Sequence, residues 1–388
     1  MPPFPSPAQS DSWLGKSPLP GENRCDTLGE TPARLAPGNR VKREQENTMF
    51  CTYIGTRKGV YRLEDGELTF LGLEEERIWA IHAFRDPLSS SPAHDTILAG
   101  SYGNGIYRST DGGLHWEGAN EGLTAGALRT ICVDPTCAGA IICGTEPARG
   151  FRSRDGGQSW EEMAGITAVP GCPDWYLPYS PRAGALRNFY SPPGCPHRLL
   201  AAVEVGGLLD SQDGGQTWAL LDTFDDDIHH VTGHPEDPAI LWLALGTATR
   251  KDRPRPDRSL LGGVACSEDG GQTWKKKIPS EYTRAVIVPP TRPDLVLAAP
   301  AGQVGALGRI VVSEDQGETW QEAGAGIETP MPDMVELFLA APDGSIWAIC
   351  SQGRLLQAWP EEWYWQPVFA TPATPDIRVE SVSFVLAA

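Results

Sequence analysis

The 388-residue chain has no apolar run approaching the roughly 18 residues that a membrane-crossing helix needs, so no such helix is expected. It has no basic excess either: 32 Lys and Arg stand against 50 Asp and Glu, a formal net charge of −18. An acidic surface of that size repels phosphate, which argues against nucleic-acid binding. The nine cysteines, at positions 25, 51, 132, 137, 143, 172, 195, 266 and 350, form no C-x-x-C pair, and their number is odd. Several lie in apolar runs such as "RTICVDP" and "AIICGTE" and read as small buried hydrophobes. With no apolar export signal near the start, a reducing, cytoplasmic setting is expected. No zinc-ligand spacing occurs, and the adjacent His229 and His230 would point to opposite faces of a strand. No glycine-rich phosphate loop precedes a helix. No metal and no cofactor is therefore expected. What the chain has in quantity is 43 Gly and 35 Pro, a turn-rich composition that suits many short strands.

Residues 1–48 differ from the rest. They are rich in Pro, poor in aliphatic residues and without alternation, and their charges cancel, so the −18 belongs to residues 49–388. Disorder is expected there. A strand-like "FCTYIGT" follows Met49 directly, which makes Met49 a candidate for the true start, with 1–48 then not translated.

Internal repeats organise the remainder. "RSTDGGLHW" ends at Trp116, "RSRDGGQSW" at Trp160, "DSQDGGQTW" at Trp218, "CSEDGGQTW" at Trp274 and "VSEDQGETW" at Trp320. These are five copies of S-x-D-x-G-x-x-W, at steps of 44, 58, 56 and 46 residues. In each, a strand runs into the turn and another leaves it. The carboxylate can accept backbone N–H bonds across the turn, the glycines allow positive φ, and the Trp packs a large ring on its surroundings. Asp111, Asp155, Asp213, Asp269 and Asp315 therefore read as structural closures of hairpins. The motif is the Asp-box, and residues 49–388 resemble the Asp-box (bacterial neuraminidase repeat) β-propeller superfamily. Degenerate copies near Val60 and Leu355 complete a series of glycines at 59, 105, 150, 207, 263, 308 and 353, with steps of 45–57 residues. Seven blades of four antiparallel strands follow, an all-β propeller. The first blade lacks its innermost strand, and "IRVESVSFVLA" at the C-terminus has no strand after it. The C-terminal strand is thus expected to complete blade 1 and close the ring.

Function should concentrate on the loop-rich face, where residues 164–184 and 247–262 are insertions. Registered on the proline six residues downstream, the start of the innermost strand carries Arg129, Arg187, His229, Arg284 and Glu336, with Trp79 and Glu380 as the equivalents in blades 2 and 1. This is a ring at the channel mouth. Its arginines suit an anion, since guanidinium forks match carboxylate or phosphate; the alternative is that they pair with Asp225, Asp226, Asp227 and the Glu residues. Arg57, Tyr102, Asn104, Glu146, Arg149, Glu204 and Gln352 reach the same mouth from loops. Glu146 and Glu204 are candidates for a glycosidase carboxylate pair, or for plain ion pairs with Arg129 and Arg187. Trp175, Tyr176 and Tyr179 on the insertion are candidates for stacking on a sugar or capping the channel, or for a small satellite core.

The resemblance implies several activities. Sialidases carry an Arg-Ile-Pro motif, an Arg triad, a Tyr nucleophile and an Asp acid; "RIW" at Arg77 lacks the Pro, and no Tyr–Glu pair carries over. Xyloglucan-degrading relatives place their acids between two propellers. The photosystem II assembly factor is similar in being a single seven-bladed propeller with Arg at the channel mouth. Two functions stay open. One is a protein binding a small anionic or sugar ligand, or a protein segment, on the loop-rich face. The other is a glycoside hydrolase or lyase using Glu146, Glu204, Glu336 or Glu380.

Overall fold

The computed structural model describes residues 50–85, 91–177, 184–221, 223, 226–249, 261–369 and 377–386. The expected N-terminal extension, Tyr179 and Asp225 lie outside them, as does most of the second insertion. Seven antiparallel sheets form seven blades, each ordered from the channel outward. The innermost strands are Val379–Leu386 in blade 1, Ile78–Arg85 in blade 2, Ala127–Val133 in blade 3, Ala185–Tyr190 in blade 4, Ile228–Gly233 in blade 5, Tyr282–Ile287 in blade 6 and Val335–Ala340 in blade 7. Blade 1 is closed by the C-terminal strand, Val379–Leu386, which pairs antiparallel with Phe50–Thr56. Five of the seven fourth strands are only two residues long: in blade 3, Glu161–Glu162 alone pairs with Gly150–Ser153, well short of the "SWEEM" segment read from sequence.

Apolar residues from neighbouring blades build seven buried clusters. The wedge between blades 2 and 3, for example, joins Leu98 and Ile106 to Ile141 and Phe151. Glycines in the second strands admit the next blade. A Cβ on Gly144 would lie 2.5 Å from Leu186 Cδ2 of blade 4, and one on Gly100 2.7 Å from Leu128 Cβ of blade 3.

The repeated turn follows one plan in all five copies, except that in the fifth the N–H of Glu318 bonds the Asp315 carbonyl rather than its carboxylate. In blade 3, Ser153 Oγ donates to Asp155 Oδ1 at 2.7 Å and accepts from Gly157 N at 2.8 Å. Asp155 Oδ1 accepts from Gln158 N and Ser159 N, both at 3.0 Å. Gly156 and Gly157 have φ of 71° and 84°, and in the fifth copy Gln316 takes the first of these positions at φ 56°. The tryptophans divide in two. Trp218, Trp274 and Trp320 donate to a glycine carbonyl of their own turn. Trp116 and Trp160 reach the preceding blade, at Leu71 O and Ala119 O. Arginines link turn to turn around that face: Arg108, Arg152 and Arg198 donate to the carbonyls of Gly156, Gly214 and Gly270 in the next blade.

Candidate functional site

The innermost strands begin one or two residues ahead of the positions registered from sequence. The reason is a shared irregularity. The pairing register shifts between Leu128 and Thr130, Leu186 and Asn188, Ile228 and His230, Thr283 and Val286, Val335 and Leu337, and Ile78 and Ala80. In blade 1 the partners of Gly55 and Thr56 are Ser381 and Val379. Arg129, Arg187, His229, Arg284, Glu336, Trp79 and Glu380 are thus each left unpaired in a β-bulge. A bulge kinks the strand and re-aims its extra side chain, here into the channel. All seven line one cavity of about 560 Å3, together with Arg57 and Arg77. His229, in the bulge, and His230 after it both belong to the cavity wall.

The charges at this mouth are interlocked. Arg129 pairs with Glu146, and Arg284 with Glu336. Glu380 Oε1 accepts from Arg57 Nε at 2.7 Å and from Arg77 Nε and Nη2 at 3.1 and 2.8 Å. The guanidinium carbons of Arg77 and Arg129 lie 4.3 and 4.0 Å from the Trp79 ring centre, close enough for cation–π attraction. Trp79 in turn stacks on Tyr102, with ring centres 4.1 Å apart and planes tilted by 31°.

Arg187 differs. It makes one ion pair, Nη1 to Glu204 Oε2 at 3.3 Å, and donates no hydrogen bond among the described residues, while its side chain is 18% exposed to the cavity. Glu204 stands behind it, at the end of the second strand of blade 4, as Glu146 does in blade 3. Burial pushes the Glu204 carboxyl up. The charge of Arg187, followed by His229, Arg284 and Arg129, more than offsets this and holds it at about 2. At Glu336 burial is likewise outweighed by the charge and hydrogen bond of Arg284, leaving the carboxyl below its usual range.

Blade 5 adds a polar group beside Arg187. His229 Nε2 lies 3.3 Å from Asp227 Oδ1 and 3.2 Å from the Tyr282 hydroxyl, which accepts from Arg284 Nε at 2.8 Å. Glu204, Asp227 and His229 are all buried, and no two of their donor atoms are more than 4.8 Å apart. Burial, with the charge of Arg187 adding to it, lowers the neighbouring His230 to about 4, so it is neutral near pH 7.

Two expected ligand residues are not at the site. Trp175 is 1% exposed and packs with Ala148, Met163, Ile166 and Leu186 between blades 3 and 4, so it cannot stack on a ligand. Tyr176 packs on the small cluster of Leu177, Ala185 and Val205. The insertion folded onto core because it carries its own apolar residues, Ile166, Val169 and Cys172. Conversely, Arg77 and Tyr282 join the site although the sequence did not mark them, and Asp227, expected as a partner for the arginines, meets His229 instead. Each lies two positions ahead of a ring residue, Trp79, His229 and Arg284, so a second registered column would have found them.

No family model matches the sequence, and no curated protein matches it. Solved structures do. The GH74 xyloglucanase from Xanthomonas campestris aligns with a TM-score of 0.57 and 19% identity over 87% of this chain and 52% of that one. An ancestral GH74 enzyme aligns with a TM-score of 0.53 and 16% identity, over 74% of this chain and 38% of that one. YCF48 bound to D1 peptide aligns with a TM-score of 0.52 and 18% identity over 80% of this chain and 89% of that one. The chain spans about half the length of the xyloglucanase or less of such enzymes. At these identities the likeness is one of fold. Among the described residues no helix is long and apolar enough to cross a membrane.

Proposed function

We propose that the channel mouth binds an anionic ligand, a carboxylate- or phosphate-bearing small molecule or an acidic protein segment. The observation that carries this reading is Arg187, a guanidinium at the cavity wall that donates no hydrogen bond among the described residues and is held in place by one ion pair. An incoming carboxylate or phosphate can take two parallel N–H bonds from it, while the neighbouring arginines are already tied to Glu146, Glu336 and Glu380. A single propeller with a peptide has a precedent in the YCF48 structure, though that likeness leaves the ligand class of this chain to experiment. The eight described cysteines are free thiols, five of them buried, which supports a reducing, cytoplasmic setting.

The hydrolase reading is weaker on one physical ground. A glycosidase needs a carboxylic acid whose pKa is raised so that it carries a proton at working pH. Glu204 sits at about 2 and Glu336 is lowered, so both are ionised, and the other two candidate acids, Glu146 and Glu380, are held in ion pairs with Arg129 and with Arg57 and Arg77. The test is a thermal-shift screen of the folded chain against organic acids, uronates, sialic acid, nucleotides and acidic peptides, repeated on Arg187→Ala. A ligand that binds only the native state raises the melting temperature by mass action. The expected result is a shift from one anionic class that Arg187→Ala abolishes. A shift retained in full by that variant would place the ligand elsewhere, and turnover of a neutral glycoside would reinstate the hydrolase.

A further inference from the structure

We propose that Glu204, Asp227 and His229 form a site for one divalent transition-metal ion, with Zn2+ as the reference ion, in the channel wall between blades 4 and 5. Three separate pieces of chain supply the ligands: the end of the second strand of blade 4, the segment entering blade 5, and the bulge of its innermost strand. Among the described residues this is the one cluster of three metal-ligating side chains within such reach.

The second observation is an unsatisfied atom. Asp227 is 3% exposed, and its Oδ1 has no hydrogen-bond partner although it points at His229 Nε2, 3.3 Å away. Its other oxygen is used, accepting from Ala248 N at 2.9 Å. A buried carboxylate oxygen without a partner is costly, and a cation between it and the imidazole removes that cost. The packing keeps the two groups together: a Cβ on Gly246 would lie 2.1 Å from Asp227 Oδ2 and 2.5 Å from His229 Nε2, so only glycine lets them converge.

One imidazole nitrogen and two carboxylates suit a borderline divalent ion rather than a soft one. Metal–ligand bonds of about 2.0–2.2 Å require the three donors to draw in slightly from their present spread. Glu204 can do so by releasing Arg187, whose ion pair with it has no hydrogen bond. The other cations named at this wall are committed, Arg129 to Glu146 and Arg284 to Glu336 and Tyr282. Metal entry therefore competes with the Arg187 guanidinium at Glu204 and with the Tyr282 hydroxyl at His229 Nε2.

The test is titration of the untagged full chain, with its thiols kept reduced, with Co2+ as a spectroscopic stand-in and then Zn2+ in competition. The expected result is one equivalent bound with visible d–d absorption and no thiolate charge-transfer band, displaced by Zn2+. Asp227→Asn and His229→Gln, each checked for an unchanged far-UV spectrum, are expected to lose this saturable signal. Arg187→Ala is expected to keep it, which separates this site from the anion site. Folded wild type that takes up no Co2+ or Zn2+ would overturn the proposal. So would uptake that carries thiolate bands, or uptake that both ligand variants retain.

Discussion

At the scale of single residues, the repeated turn shows how little of its chemistry rests on the aspartate alone. Ser109, Ser153, Ser211, Ser267 and Ser313 are each 2% exposed or less and accept the N–H of the second turn glycine. Ser153→Ala leaves Gly157 N without that partner, and a buried unsatisfied donor costs about 1–3 kcal/mol. The expected outcome is a lower urea midpoint with an unchanged m-value; a midpoint within error of wild type would contradict it. The five carboxyls are all held at about 2 against an ordinary 3.8. At Asp213, Asp269 and Asp315 the threonine hydroxyl leads. At Asp111 and Asp155 burial pushes upward and hydrogen bonds outweigh it. A lowered native pKa stabilises the fold above the unfolded value, and that contribution is lost as pH falls towards the native one. The melting temperature is therefore expected to fall between pH 4 and pH 2. A flat profile over that interval would show the carboxylates do not matter to stability.

At the scale of elements, the bulge is the device that makes the site. Each innermost strand carries one, and each turns a single side chain into the channel while the residues on either side stay in register. The second element with a large consequence is the C-terminal strand. Val379, Val382 and Val385 are 2%, 7% and 5% exposed and join the wedges on both flanks of blade 1. A chain ending at Arg378 would expose the long edge of Phe50–Thr56 and leave both wedges open. It is expected to give no cooperative melting transition and to aggregate. Recovery of a truncated chain that melts like the full one would show that blade 1 holds without closure.

For the molecule as a whole, stability is circular. There is no central core; the centre is a channel, and the apolar residues lie in seven wedges, each shared by two blades. In an open repeat array a weakened interface can fray by itself. In a closed ring, opening one wedge removes the restraint on all the others. Phe151 is fully buried in the wedge between blades 2 and 3. Phe151→Ala is expected to cost about 3–5 kcal/mol, and calorimetry should show the single transition moving down intact. A second transition splitting off would mean that blades unfold singly.

The blade number, the closing strand, the turn chemistry and the registered positions facing the channel were legible in the sequence alone. These properties recur at a fixed spacing along the chain, and a repeat of 45–57 residues displays them without knowledge of distant contacts. The tertiary structure decided the rest. It settled which glutamate ties which arginine, that Arg187 donates no hydrogen bond among the described residues, that Trp175 is core, and that Glu204 meets Asp227 and His229. Such pairings depend on how far each bulge turns a side chain and on which neighbour stands across the blade boundary. Both are set when the ring closes, because only then do residues far apart in the chain come within hydrogen-bonding distance.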